Sequence, residues 1–270
     1  TPSHPELLDW LAVEFVESGW DVKQLLKTIL TSQTYQQSSR INQILHDRDP
    51  LNRYLSHGPR MRLDAESIRD SALAISGLLN RELGGPSVFP YHPKGLWLEI
   101  NNRPGFSSTY KQDSGEKLYR RSLYTFWKRT VTPPSMAVFD APSREYCLVR
   151  RSRTNTPLQA LVMLHDPQFV EAARALAARM LRHPEGDVDA KIQFGFQLAF
   201  GRFAKDTELQ VLRATFQEKL KHYESDPQAA RQLLGVGDSE SQQPLPITDH
   251  AAMTTVARLI MNLSEFITKG

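Results

Sequence analysis

The run Thr156–Leu181, TPLQALVMLHDPQFVEAARALAARML, leaves its backbone little choice. Thr156 with Gln159 fits a capping box, in which the hydroxyl accepts from the third helical N–H and the glutamine reaches back, and Pro157 suits the first helical position. Leu158, Leu161, Val162 and Leu164 form an apolar stripe until His165, Asp166 and Pro167 interrupt it and offer an aspartate cap with proline behind it. Phe169, Val170, Ala173, Leu176, Ala177, Met180 and Leu181 then recur at three and four residues. The spacing predicts a helix, a sharp corner and a longer helix.

The same punctuation repeats along the chain. Ser3 with Glu6 reads as a capping box for a helix burying Leu7, Leu8, Leu11, Phe15 and Val16, and Gly19 stands where a helix end accepts positive φ. Asp21 with Gln24 opens a second helix with Val22, Leu25, Leu26, Ile29 and Leu30 inward, so the two pack as a hairpin. Asp64 caps a helix carrying Ile68, Ala72, Ile75 and Leu79. Further helices follow in DVDAKIQFGFQLAFGRFA, in TELQVLRATFQEKLKHY, after Asp226-Pro227, and after Asp249 to the end. LYRRSLYTFWKRT, with Leu118, Ser122, Leu123, Phe126 and Trp127 on one face, reads as helix, although its aromatics also suit a strand.

Two stretches break the pattern. Residues 84–115 mix Gly, Pro and Asn with aromatics, and an excursion that long is ordered if Phe89, Tyr91, Trp97 and Phe106 are to leave water. VTPPSMAVFDAPSREYCLV is the second. Strand signals are nearly absent, so the expected fold class is all-α: roughly eight helices in an irregular multi-helix array with two long ordered loops and little or no β. Residues 1–270 read as a single helical domain, with a possible sub-division near 84–117 into 1–83 and 118–270.

Composition enters where it excludes. A chain of 270 residues buries about 75 % of its unfolded surface without a staple. Its one cysteine, Cys147, excludes an internal disulfide, a thiolate-rich metal site and a C-x-x-C-H haem attachment. No apolar run reaches the roughly 18 residues of a membrane span, and TPSHPELLDW lacks the regions of a signal peptide. The net charge of +3 conceals an asymmetry. Lys117 to Arg153 holds nine basic residues against Asp140 and Glu145, a net of +7, which leaves −4 for the remainder. Such a block attracts anions if its charges are not neutralised within the fold.

GLWLE, LYRRSLYTFWKRT, PPSMAVFDAPSRE, RRSRTNTPLQALVMLHDP and the terminal VARLIMNLSEF resemble domain of unknown function 1553, over nearly the whole chain. That family is the C-terminal module of large planctomycete surface or secreted proteins, commonly after a cytochrome-c-like domain. The resemblance implies an extracytoplasmic fragment of a multidomain protein, with cytochrome-c-like and other domains as partners and redox chemistry nearby. It carries over no catalytic residue.

Specific chemistry is sparse. Cys147 as a nucleophile needs His165 within reach, and a lone cysteine is more often buried packing. The eight histidines are scattered without ligand spacing, so no metal and no cofactor are expected. Glu99, Asp113, Glu116 and Asp140 are the acids available for glycoside chemistry. The anion-binding candidates are Arg144, Arg150, Arg151, Arg153, Thr154 and Asn155, because arginine forks recognise carboxylate, sulfate or phosphate and the helix start at Thr156 adds N–H donors. The more economical reading is that these arginines pair with acids of neighbouring helices. Two functions follow: a non-catalytic binding or scaffold module with a basic surface for an anionic partner such as a polysaccharide, or an enzyme acting on an extracellular sulfated polysaccharide. A pocket converging the two excursions on two close carboxylates favours the enzyme. Nucleic acid is disfavoured as a partner, despite the aromatics interleaved with basic residues, because export removes it.

Overall fold

A computed structural model of the chain describes residues 2–41, 43–100, 108–184, 186–240 and 244–269. These contain twelve α-helices, nine of them eight residues or longer, and one two-stranded sheet, so the protein is mostly α-helical. Contacts divide the chain into two compact units, Thr1–Arg62 with Thr268–Gly270, and Leu63–Ile267.

In the first unit, α1 (Pro5–Glu17) and α2 (Val22–Thr31) are joined through Gly19 and Trp20, both at positive φ, with the Trp20 ring edge-on to Phe15 at 5.2 Å. Asp21 caps α2 by accepting from Lys23 and Gln24 N–H, as its position predicts. The Ser3–Glu6 box does not form: His4 is the N-cap and makes no side-chain cap bond, its ring being held by the Arg53 carbonyl at 2.7 Å. Neither helix buries a residue fully, and Leu7, Leu8, Val16, Val22, Leu26 and Leu30 stay about half exposed, contrary to the expected inward stripe. Two short helices cover only a strip of one another. The unit also holds α3 (Gln43–Arg48) and the sheet, in which β1 (Met61–Arg62) runs antiparallel to β2 (Thr268–Lys269).

The second unit is built on α8 (Pro167–Leu181) packed along α12 (Ile247–Met261). Ala172, Ala173 and Ala177 on one and Ala251, Ala252 and Ala257 on the other are fully buried, and small side chains let helices approach closely. Around them stand α4 (Ala65–Ser76), α7 (Pro157–His165), α9 (Val188–Phe200), α10 (Asp206–Ser225) and α11 (Pro227–Leu234), closing a core with Phe169, Leu176, Met180, Ile192, Phe196 and Ile260. A Cβ at Gly195 would overlap the end of the Met180 side chain where α9 packs on α8. Asp166 and Asp226 cap α8 and α11 by accepting from Gln168 and Ala229 N–H, as expected. The last helix begins at Ile247, before Asp249, on the Pro246 carbonyl.

Residues 118–130 are the main departure from the expected helix. They form two short 3-10 turns, 115–119 and 122–124, and then extended chain with single bridges, Asn80 to Arg120 and Val88 to Thr125. The cause is Arg69, on α4 and only 1 % exposed. Its guanidinium donates to the carbonyls of Leu118 at 2.7 Å and Arg120 at 2.8 Å, to Ser122 Oγ at 3.2 Å and to Gln168 Oε1. Asp70 beside it accepts from Ser122 N–H and Oγ. Carbonyls that a helix would have paired at i+4 are taken by a side chain.

The excursion from 84 is ordered where it is described. Phe89 stacks on Phe126 at 4.6 Å, Trp97 meets Tyr110 at 5.1 Å and is 3 % exposed, and Tyr110 donates to the Pro90 carbonyl at 2.5 Å. Phe106 lies outside the described residues. Between 131 and 156 the chain holds one short helix, α6 (Pro134–Val138).

Candidate anion-binding site

The segment preceding α7 is tied down at two points. Arg151 grips Glu66 on α4 with two bonds, Nη1 to Oε2 at 2.6 Å and Nη2 to Oε1 at 3.2 Å, with Asp64 at 3.8 Å. Burial pushes the Glu66 carboxyl up, but the Arg151 bond, its own backbone N–H and the charges of Arg151 and Arg144 outweigh it and leave the group below its ordinary range. Arg151 is raised in turn, first by its bond to Glu66. Three residues on, Thr154 donates its N–H at 2.8 Å and its hydroxyl at 3.0 Å to Asp140, which sits at φ 59°.

Thr156 is the N-cap of α7 but makes no side-chain cap bond. Gln159 does not reach back to form the box: it is buried and spends its amide N–H groups on the Val138 carbonyl at 3.0 Å and on Thr154. The expected cap therefore becomes a tie between α7 and the end of α6.

Of the anion-binding candidates, the fold bonds Arg151 to Glu66 and Thr154 to Asp140. The Arg144 guanidinium lies 4.6 Å from the centroid of Trp127, whose indole N–H donates to the Ser143 carbonyl. Arg150 is exposed with no ion pair to a described residue, while Arg153 and Asn155 are also at the surface. Exposed with them are Tyr146, Cys147, Leu148 and Val149, so the cysteine is not the packed core thiol its type suggests.

Two of the loop acids are engaged by separate partners and two are exposed. Asp113 accepts from Phe89 N–H at 2.7 Å, Asp140 is committed to Thr154, and Glu99 and Glu116 are exposed. A cavity of about 200 Å³ is lined by His92, Trp97 and Tyr110 among others and, among the described residues, by no carboxylate. Among the described residues no group of three or more His, Cys, Asp or Glu is placed to hold a metal ion, and no helix is long and apolar enough to cross a membrane.

A second polar cluster went unread in the sequence. Glu171 faces inward from α8, 1 % exposed, and its Oε1 accepts from Tyr119 Oη at 2.8 Å and from the N–H groups of Asp238 at 2.7 Å and Ser239 at 2.6 Å. Burial, then the Glu171 bond and charge, push the Tyr119 phenol well above its usual range. Arg174 completes the tie, donating to the Leu234 carbonyl and to Ser239. Gly237, at φ 97°, passes so close that a Cβ would fall on the Glu171 carboxylate. The available signal was Glu171 inside the apolar run of α8.

The fold and these clusters define a helical module whose irregular connections are fastened to the helices by buried charged side chains. A family model described as "Protein of unknown function (DUF1553)" matches residues 1–216, and the chain belongs to that family. No curated protein and no solved structure matches it.

Proposed function

We propose that this chain is a non-catalytic binding module that holds an anionic polymer through the exposed loop 144–153. The observation that carries the reading is the loop's composition at the surface: Arg144, Arg150 and Arg153 stand beside Tyr146, Leu148 and Val149, all exposed. Guanidinium forks take sulfate or carboxylate groups bidentately, and apolar and aromatic neighbours supply contact for the body of a polymer. Arg151 is excluded from this role because its charge is spent on Glu66. The family resemblance supports placing the module outside the cytoplasm, beside a cytochrome-c-like domain of a larger protein, with a sulfated polysaccharide as the polymer class.

Elution from an immobilised dextran sulfate column tests this. The Arg150→Ala/Arg153→Ala variant elutes at lower salt than the wild-type chain while still unfolding cooperatively, and the difference shrinks as ionic strength rises. Co-elution of the two proteins at all salt concentrations overturns the reading.

A further inference from the structure

A cavity of about 540 Å³ opens where the end of α4, the outer face of α8, Leu234 at the end of α11 and the approach to α12 meet. That volume is in the range of small-molecule sites. Among the described residues its walls carry three guanidinium groups, those of Arg174 and Arg179 on α8 and of Arg182 just past its end, against one carboxylate, Glu240. Between the arginines the helix presents Ala175 and Ala178, and Leu78, Leu245 and Ile247 complete an apolar lining. Spacings of three and four along α8 place Ala175, Ala178, Arg179 and Arg182 on one face.

The three arginines are not equivalent. Arg174 is consumed by structure, bonded to the Leu234 carbonyl at 2.5 Å and to Ser239 through both its carbonyl and its hydroxyl. Among the described residues Arg179 gives a single bond, to the Ile75 carbonyl near the end of α4, out of five N–H donors. Arg182 lies at the exposed rim. His250, on the wall from α12, has its Nε2 3.0 Å from the Arg174 carbonyl. Burial holds this imidazole below its ordinary value despite the bond to the Arg174 carbonyl, and the charges of Arg174 and Arg182 add to the lowering.

We propose that this cavity binds a small organic anion, with the anionic group on Arg179 and Arg182 and an apolar body over Ala175 and Ala178. The alanines leave room for the body, and the arginine excess sets the charge. Arg174, committed through both Nη1 and Nη2, acts as a fixed wall that holds the 234–239 segment in place. A polymer on the 144–153 loop and a small molecule in this cavity are separate binding events.

Calorimetric titration of the full chain with 4-phenylbutyrate, and with its neutral counterpart 4-phenylbutanamide, tests the assignment. The acid binds at one site and about tenfold or more tighter than the amide, because the guanidinium groups distinguish the charge. Arg182→Gln, at the exposed rim, reduces that preference, and Arg179→Gln with Arg182→Gln removes it. Ala175→Leu, which fills the floor, weakens both ligands. Arg150→Ala/Arg153→Ala leaves both titrations unchanged, which separates this site from the polymer surface. Equal affinity for acid and amide, no binding of either, or an unchanged acid preference in the double glutamine variant overturns the proposal.

Discussion

Arg151 and Glu66, 85 residues apart, meet through two parallel guanidinium–carboxylate bonds. Arg151→Ala is expected to lower stability by about 1 to 2 kcal/mol, the low part of the range for a charged hydrogen bond because the arginine is about a third exposed. Glu66→Gln should cost a similar amount, with the double variant costing less than the sum. Since the folded state depresses the Glu66 carboxyl, its contribution is present above the ordinary carboxylate range and fades as pH falls through the folded value. Urea denaturation at pH 7 and pH 3.5 measures both effects. Strictly additive losses would show that the pair is not coupled.

Arg69→Met tests the origin of the non-helical 115–125 segment. The guanidinium is wholly buried, and burial brings it down to about 10. Removing it leaves the carbonyls of Leu118 and Arg120 without that donor, so a loss of about 3 to 5 kcal/mol is expected, the scale of breaking a buried charged network. Hydrogen exchange should quicken first at residues 119–125. A loss under about 1 kcal/mol would contradict the role given to this side chain.

Asp166 makes a pH prediction of the opposite sign to Glu66. Burial pushes its carboxyl up to about 6, only partly offset by the Gln168 N–H and the Arg69 charge. A folded pKa above the unfolded one means that ionisation costs stability, so stability contributed by the neutral acid is full below about pH 4 and lost as pH rises through 6. Relative to Asp166→Asn, the wild-type chain should gain up to roughly 3 kcal/mol between pH 7 and pH 4. A difference between the two proteins that stays flat over that interval would exclude the effect.

Gly237→Ala should destabilise by about 2 kcal/mol or more, combining a side chain at φ 97° with overlap on Glu171. The Tyr119 hydroxyl bond to Glu171 should weaken with it, so ultraviolet titration of the phenols should show one tyrosine returning toward its ordinary range. A fully stable alanine variant would mean that the 235–240 segment is free to move off α8.

The helices were legible because their signals are local. Asp21, Asp166 and Asp226 cap where they stand, and the apolar spacing of Phe169 to Met180 marks the buried face of α8 directly. The Thr156–Gln159 pair and the 118–130 segment misled for one physical reason: each has a strong local solution that a long-range partner overrides. Gln159 bonds to Val138 and not to its own N-terminus, and the carbonyls of Leu118 and Arg120 go to Arg69. In the candidate site, arginine chemistry was readable but pairing was not, since nothing near Arg151 in sequence names Glu66. The Glu171 cluster and the α8 cavity were missed because a polar residue within a helical stripe resembles a surface residue until its neighbours are known.

Arg69, Arg120, Arg174, Arg179 and Arg258 all donate to main-chain carbonyls, those of residues such as Leu118, Pro86, Leu234, Ile75 and Leu164. A carbonyl is the same group whatever residue bears it. The clasped loops and helix ends therefore keep their path while their outward side chains change, provided the arginines stay. Such a framework separates the part of the sequence that fixes geometry from the part that meets a ligand, and allows one helical scaffold to display different surfaces without being refolded for each.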